Sequence, residues 1–297
     1  MKKTLTLVIA IVLCVALLAS CAAAPAASSA PASSAASSES ASAAPAVSES
    51  AAASASEVAS AKIDAIKKAG KLVMLTNAAF APYEYLGSDN QVAGVDVEIS
   101  KAIAEKLGVT LEVVNMDFDG LIAALAGGKG DLIAAGLTVD DERKQSVDFS
   151  DVYADATQLI IVPESNTDIK GPDDLKGKTI GVQLGTTGDI YASDIEEATV
   201  KQYKTAIEAG LDLKNGKLDA VIIDTLPAKN IVDSNEGLKL IDTPLTDEHY
   251  AIAVQKGDAG FVALINEVIK GLQESGQVEK WTEQHAAEAA VASPSAS

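Results

Sequence analysis

The residues best suited to binding chemistry lie between positions 131 and 143, in the stretch DLIAAGLTVDDER. Its apolar run, Leu132 to Ala135, predicts a buried strand that ends in glycine. Thr138 precedes Asp141 by three residues, a spacing typical of a capping box at a helix start. Arg143 then falls in the first turns of that helix. A strand end, free N–H groups at a helix start and a guanidinium group together favour a small carboxylate ligand.

Polar residues and glycines also follow the other strands that apolar runs predict. They are Asn77 after residues 71–76, Gly136 with Thr138 after the run just described, Gly185 to Thr187 after residues 179–183, and Asp224 with Thr225 after residues 219–223. Ligands bind beyond the carboxyl ends of parallel strands, so these positions would face one cleft. Arg143 and the N–H groups around Thr138 and Thr187 suit an α-carboxylate, and Asp224 suits an α-ammonium group.

Phe80 and Phe118 supply apolar walls for such a cleft, in a chain with only 4% aromatic residues. Every candidate also has a purely structural alternative. These alternatives are surface pairing of Arg143 with Asp140 or Asp148, helix capping by Asp224, a turn at Asn77, core positions for both phenylalanines, and a plain helix start at residues 185–188. Tyr83, Glu84 and Tyr85 carry no binding signal, and we assign them structural roles.

Strands and helices alternate along the part of the chain that must position these residues. Strands are predicted at residues 71–76, 110–115 and from 131, with a helix carrying Val95, Ile99, Ala102, Ile103 and Leu107 on one face and a short helix at 121–125. The second half has strands at residues 179–183 and 219–223 around a helix opened by a Thr205–Glu208 capping box. This alternation predicts an α/β fold.

The two halves predict two similar lobes. Gly-Lys-Gly-Asp at residues 128–131 and Gly-Lys-Leu-Asp at residues 216–219 both precede a strand. A last strand at residues 250–254 and the helix after it complete no third unit, so we return them to the first lobe. The predicted boundaries are lobe 1 at residues 62–153 and 250–285, lobe 2 at residues 154–249, and a disordered tail at residues 286–297.

The N-terminus carries a secretory signal. Lys2 and Lys3 precede an apolar run from Leu5 to Leu18, too short for a mature transmembrane span. Residues 18–21, Leu-Ala-Ser-Cys, resemble a bacterial lipobox, which predicts cleavage of residues 1–20 and lipidation of Cys21. The alternative is an ordinary cleavage site beside a chance cysteine. Cleavage also removes Cys14, so no cysteine pair and no disulfide framework remain.

The composition around the globular part excludes several partners. Residues 21–61 are almost entirely Ala, Ser, Pro and Glu, which predicts a disordered tether on the extracytoplasmic face of the membrane. The net charge is −19, and loss of Lys2 and Lys3 makes it −21. An acidic chain does not bind nucleic acid non-specifically. No metal-ligand spacing appears, and we predict no cofactor.

Six stretches together resemble the polar amino-acid family of bacterial extracellular solute-binding proteins, which feed ABC importers. They are residues 71–85, 94–107, 116–122, 131–151, 174–187 and 211–224. The resemblance implies a two-lobed periplasmic-binding-protein type II fold, in which each lobe is a central sheet flanked by helices. It places two hinge crossovers near residues 153–156 and near His249. The implied protein is a monomeric lipoprotein that closes on one free amino acid and delivers it to a membrane permease.

The same resemblance implies a role for each candidate. Arg143 would grip the α-carboxylate with N–H groups of Thr138 and Thr187. Asp224, the Gly136 carbonyl and the Thr138 hydroxyl would take the α-ammonium group. Phe80 and Phe118 would enclose the ligand side chain, and Asn77 and Gln183 would read its tip. Many relatives that bind cationic or amide side chains carry Asp at the position of Asn77. Because Asn77 and Gln183 are both neutral, a neutral polar ligand such as glutamine is favoured. Asp117 and Asp119 nearby leave a basic ligand open.

Two other function classes are weaker. A dehydratase-type enzyme on the same fold would need a general acid or base in the cleft, and neither His249 nor His285 stands at a strand end. We therefore expect no catalytic residue and no enzyme activity. A ligand sensor that reports to a separate receptor differs from an importer component only in its partner.

Overall fold

The computed structural model describes residues 61–292, and the side chains up to residue 290. The predicted signal peptide, Cys21 and nearly all of the predicted tether lie outside this range. The helix α1 already includes residue 61, the last residue assigned to the tether. Within the described part, no helix is long and apolar enough to cross a membrane.

Helices and strands alternate as the hydrophobic pattern predicts. The helices are α1 (61–69), α2 (Val95–Leu107), α3 (Leu121–Ala126), α4 (Arg143–Ser146), α5 (Thr187–Ser193), α6 (Ala206–Lys214), α7 (Thr225–Asp233), α8 (Ala259–Glu274) and α9 (Gln277–Ala292). The strands are β1 (Lys71–Thr76), β2 (Ala79–Phe80), β3 (Glu84–Leu86), β4 (Val92–Ala93), β5 (Thr110–Asn115), β6 (Leu132–Ile133), β7 (Val147–Ala156), β8 (Gln158–Pro163), β9 (Thr179–Gln183), β10 (Thr199–Tyr203), β11 (Ala220–Asp224), β12 (Leu238–Ile241) and β13 (Glu248–Gln255).

Two five-stranded sheets form the frame. The first has the order β5-β1-β6-β13-β7, and the second has the order β10-β9-β11-β8-β12. β1 pairs in parallel with β5 and β6, and β9 pairs in parallel with β10 and β11. The polar residues after β1 and β9 therefore leave the sheets at their carboxyl edges. This confirms the α/β prediction.

The chain crosses between the two sheets twice. β7 ends at Ala156 in the first sheet, and β8 begins at Gln158 in the second. The chain leaves the second sheet after β12 and returns to the first as β13, which lies between β6 and β7. β13 is antiparallel to both neighbours, as its return direction requires.

Amphipathic helices cover these sheets with regularly spaced apolar faces. On α2, Val95, Ile99, Ile103 and Leu107 are buried at helical spacing. On α8 the buried positions are Phe261, Ile265 and Ile269. The Thr205–Glu208 capping box at the start of α6 forms with both of its hydrogen bonds. Local patterns therefore predict these helices well.

The helix predicted to start at Thr138 is wrong. α4 begins at Arg143, and Thr138 instead forms a β-bridge with Tyr250. The N–H of Val139 donates to the His249 carbonyl, so β13 holds this segment extended. The Arg143 N–H donates to Asp140 Oδ1 over 2.7 Å, which replaces the expected cap.

The tail prediction is wrong for residues 286–292, because α9 continues to Ala292. Ala-rich sequence favours helix when a surface is available for packing. That surface includes Ala81 and Tyr85, which form a buried cluster with Ala289. α9 also packs against α2 and α8 beside the first sheet and against α7 beside the second. Residues 293–297 lie outside the described range.

Gly94 allows the close approach of α2 to the segment before β3. Its φ is 133°, and an added Cβ would collide with the Tyr83 carbonyl oxygen. We expect Gly94→Ala to lower the free energy of unfolding by more than about 2 kcal/mol, because backbone must move. Gly171→Ala is the control, since Gly171 is extended and has no atom near the added Cβ. Equal urea midpoints for the two variants would contradict this explanation.

Candidate ligand-binding site

One cavity of about 300 Å³ lies between the two sheets. All nine ligand-binding candidates from the sequence line it: Asn77, Phe80, Phe118, Gly136, Thr138, Arg143, Gln183, Thr187 and Asp224. Glu84 and Thr186 line it as well.

Arg143 is the only arginine of the chain, and its side chain is buried. Its Nη1 donates to the Thr138 carbonyl over 2.7 Å, and its Nη2 donates to the Gly185 carbonyl over 3.0 Å. Its Nε is 3.1 Å from Asp140 Oδ2. Burial lowers the pKa of Arg143, and Asp140 opposes the shift; an arginine side chain stays charged nonetheless. The pairing with Asp140 forms as the structural alternative states, but Arg143 is buried and only Asp140 is partly exposed.

The guanidinium group faces the cavity beside an aromatic ring. The Arg143 Cζ lies 5.7 Å from the centroid of the Phe118 ring, within cation–π range. Thr138 and Gly185 approach from opposite sides of the cavity, since Thr138 bridges to β13 and Gly185 follows β9. The cation is therefore held by backbone that is associated with both sheets.

Asp224 ends β11, is buried and lines the same cavity. The Tyr250 hydroxyl donates to its Oδ1 over 2.6 Å, and Gln158 Nε2 donates to its Oδ2 over 2.8 Å. Although Asp224 stands at the N-cap of α7, its side chain makes no capping hydrogen bond. Burial is the main cause that raises the pKa of Asp224 to about 7, and Glu248 adds to the rise.

Asn77 and Gln183 meet across the cleft. Gln183 Nε2 donates to Asn77 Oδ1 over 3.0 Å, and Asn77 Nδ2 donates to the Met116 carbonyl over 2.7 Å. The Met116 carbonyl accepts only, so it fixes the Asn77 nitrogen on its own side. The Asn77 oxygen consequently faces Gln183 as a hydrogen-bond acceptor.

The walls of the cavity depend on a missing side chain. Gly136 has φ 51°, and a Cβ on it would lie 2.6 Å from Phe80 Cε1. Phe80 therefore packs where only glycine leaves room.

Thr187 is the first residue of α5, and its hydroxyl donates to Glu248 Oε2 over 3.0 Å. Thr186 caps that helix, so the helix-start interpretation of residues 185–188 is also correct.

Sequence reasoning missed Glu84. It lies on β3 opposite Phe80, is fully buried, and lines the cavity. Burial raises its pKa well above the usual range, and the Asp96 carboxyl adds to the rise. The sequence does contain a signal for this role, since Glu84 stands between two tyrosines in an apolar segment. A carboxyl group in such surroundings is rarely buried without a function.

Known proteins match this chain in both sequence and fold. The family model for bacterial extracellular solute-binding proteins, family 3, matches residues 72–288. The chain belongs to this family.

Its relatives are amino-acid-binding proteins. A probable histidine-binding protein of Neisseria gonorrhoeae is 36% identical over 69% of this chain and 79% of its own. The arginine-binding extracellular protein ArtP of Bacillus subtilis is also 36% identical, over 71% and 84%. The crystal structure of the substrate-binding protein AbpA of Streptococcus pneumoniae bound to L-arginine superposes with a TM-score of 0.74 at 35% identity, covering 76% of this chain and 98% of that one.

These matches confirm three expectations from the sequence. This family 3 solute-binding protein has the two-lobed α/β fold of its structural relatives. It is a binding protein of the ABC-transporter type for amino acids, and not an enzyme. Its family is extracytoplasmic.

The raised pKa of Asp224 has a measurable cost in the ligand-free binding protein. A carboxyl group with a higher pKa in the folded than in the unfolded protein makes the fold less stable as the pH rises through both values. For Asp224 this range runs from about 4 to about 7. We expect Asp224→Asn to raise the ligand-free melting temperature at pH 8 relative to the wild type, and to do so less at pH 4.5. Differential scanning calorimetry at both pH values measures this. The Asp233→Asn variant is the control because Asp233 is exposed on α7. A lower melting temperature for Asp224→Asn at pH 8 would contradict the assignment.

Proposed function

We propose that this protein binds a free basic amino acid, with arginine the best fit, and delivers it to the permease of an ABC importer. The charge of the cavity lining carries the proposal. One cation, Arg143, and two carboxyl groups, Asp224 and Glu84, line the cavity. A zwitterion with one further positive charge complements this set, and burying charge without a partner is costly.

The names of the relatives support the same ligand class, because they bind arginine or histidine. The sequence favoured a neutral side chain such as glutamine, since Asn77 and Gln183 are uncharged. Glu84, which also lines the cavity, and the orientation of Asn77 favour a basic side chain instead. The fixed Asn77 oxygen accepts a hydrogen bond, and a guanidinium group offers donors only.

In the proposed complex, Arg143 and Asp224 bind the two charged groups on the α-carbon of the ligand. Its α-carboxylate is bound by Arg143 and by N–H groups of Thr138 and Thr187. Its α-ammonium group is bound by Asp224, with the Gly136 carbonyl and the Thr138 hydroxyl.

The ligand side chain completes the proposed complex. It runs between Phe80 and Phe118 toward Asn77 and Gln183. A planar cation between two aromatic rings gains cation–π attraction, which a neutral amide lacks.

Closure of two lobes would bury this ligand. We assign residues 62–153 and 250–285 to lobe 1 and residues 154–249 to lobe 2. The crossovers near residues 153–156 and His249 then serve as the hinge. Lys204 and Asp117 form an exposed ion pair of 2.7 Å between the strand-end segments after β10 and β5. Such a pair joins the two lobes at the cleft edge, although exposed pairs contribute little.

The ligand assignment is tested by calorimetry with L-arginine, L-lysine, L-histidine, L-glutamine and L-cystine. We expect arginine to bind most tightly. Tighter binding of glutamine than of any basic amino acid would contradict the charge argument.

Arg143→Ala should weaken arginine binding more than about hundredfold, because the buried ligand carboxylate loses its charged partner. Arg143→Lys keeps the charge without the two-pronged geometry and should give an intermediate loss. Lys144→Ala is the matched control, since Lys144 is the exposed neighbour. Melting curves establish that the variants fold. Unchanged affinity in folded Arg143→Ala would refute the proposed carboxylate site.

We also propose that Cys21 anchors the protein to the extracytoplasmic face of the membrane after removal of residues 1–20. The support is the basic start, the apolar run and the Leu-Ala-Ser-Cys sequence. In bacteria producing the full chain, Cys21→Ser should lose incorporated palmitate and move the protein out of the membrane fraction. Ser20→Ala retains a small residue before the cysteine and is the control. Membrane retention of the Cys21→Ser protein with undiminished labelling would exclude this anchor.

A further inference from the structure

Glu84 and Asp96 place two buried carboxyl groups side by side next to the ligand cavity. Glu84 lines the cavity from β3, and Asp96 is the second residue of α2. Both side chains are fully buried. We propose that the two carboxyl groups share one proton in the ligand-free protein, and that the ammonium group of the ligand displaces this proton into solution. The proposal rests on the proposed function, because it requires an amino-acid ligand.

The hydrogen bonding of the pair requires a proton. The Gly136 N–H donates to Asp96 Oδ2 over 2.8 Å, which holds Asp96 as an acceptor. Neither carboxyl oxygen of Glu84 accepts a hydrogen bond from any described N–H or O–H group. The Asp96 N–H donates to the carbonyl of Tyr83, the residue before Glu84, over 3.0 Å, so the two carboxyl groups extend from adjoining backbone and a protonated Glu84 can donate to Asp96. The protonated Glu84 then donates to ionised Asp96, and the buried oxygens gain a partner.

Among the residues that the structure describes, no cation acts on the pair. The groups that face it are Asp224 at the end of β11, Tyr83 beside Glu84 and Tyr153 on β7. Glu248 on β13 and Asp155 on β7 add further negative charge nearby. Arg143 is bonded to Asp140 and two carbonyls elsewhere in the cavity. Two adjacent buried carboxylates without a cation would repel each other strongly, so one of them retains a proton.

A bound ammonium group reverses this balance. It brings a positive charge into the cavity where Asp224, Gly136 and Glu84 converge, and an adjacent cation lowers the pKa of a carboxyl group. Burial raises the pKa of Asp96 to about 6 and also raises the pKa of Glu84 well above its usual range. The proton of the pair is therefore released on binding near neutral pH. Asp224, with a pKa of about 7, contributes a second release that has to be separated from the first.

Calorimetry separates the two sources. The full chain is titrated with L-arginine at pH 6 in buffers of different ionisation enthalpy, and the slope of heat against that enthalpy gives the protons released. L-Arginine is the probe because none of its groups titrates near pH 6. We expect wild type to release about one proton more than Glu84→Gln. The amide introduced by Glu84→Gln still donates to Asp96, so the fold is kept while the shared proton is removed.

Glu98→Gln is the matched control, because Glu98 lies two residues from Asp96 on α2 but pairs with Lys101 near the surface. It should release the same number of protons as wild type. Equal proton release by wild type and Glu84→Gln would overturn the proposal. If Glu84→Gln does not fold, the wild type alone still tests the proposal. The proposal is overturned if the wild type releases no proton at pH 6, or if it releases only as many protons as one group with a pKa near 7 would release. Absence of any arginine binding would instead refute the proposed function.

Discussion

A buried guanidinium group is the interaction on which the arrangement of the cleft depends. Arg143 has five N–H donors and no acceptor, and burial makes each unpaired donor costly. Its bonds reach the Thr138 carbonyl, the Gly185 carbonyl and Asp140, which come from segments that precede and follow the first crossover. The lone arginine of the chain thus joins backbone from both sides while its remaining face is open to an anion. In the function proposed above, closure of the cleft would also complete the carboxylate site.

The buried carboxyl groups of the site lower the stability of the fold, and we attribute them to function. Three buried carboxyl groups, Glu84, Asp96 and Asp224, crowd around a place where the protein supplies hydroxyl groups but no cation. A sequence selected for stability alone would fill such a place with apolar or amide side chains. The basic amino acid proposed as the ligand would supply a positive charge here and would reduce the repulsion between the carboxyl groups.

Local sequence patterns predicted the strands and helices that carry their own signals, such as α2 with its apolar stripe and α6 with its capping box. They also predicted which strand ends would meet, because parallel strands bring their carboxyl ends to one edge. They failed at Thr138, where pairing with β13 overrides a local capping pattern, and at residues 286–292, where tertiary packing supports an Ala-rich helix. Glu84 was missed because its burial follows from hairpin pairing with Phe80, which no local period reveals.

The packing of α9 has a mechanical consequence. This helix rests on α2 and α8 and also touches α7, the helix that starts directly after Asp224. A motion that draws α7 away from the first sheet must therefore expose or slide the contact between α7 and α9. If the two lobes open and close as proposed, the free-energy difference between the two forms includes this contact, which lies outside the ligand cavity. Substitutions on α9 that strengthen or weaken this contact would then change the ligand affinity without altering any ligand-binding residue.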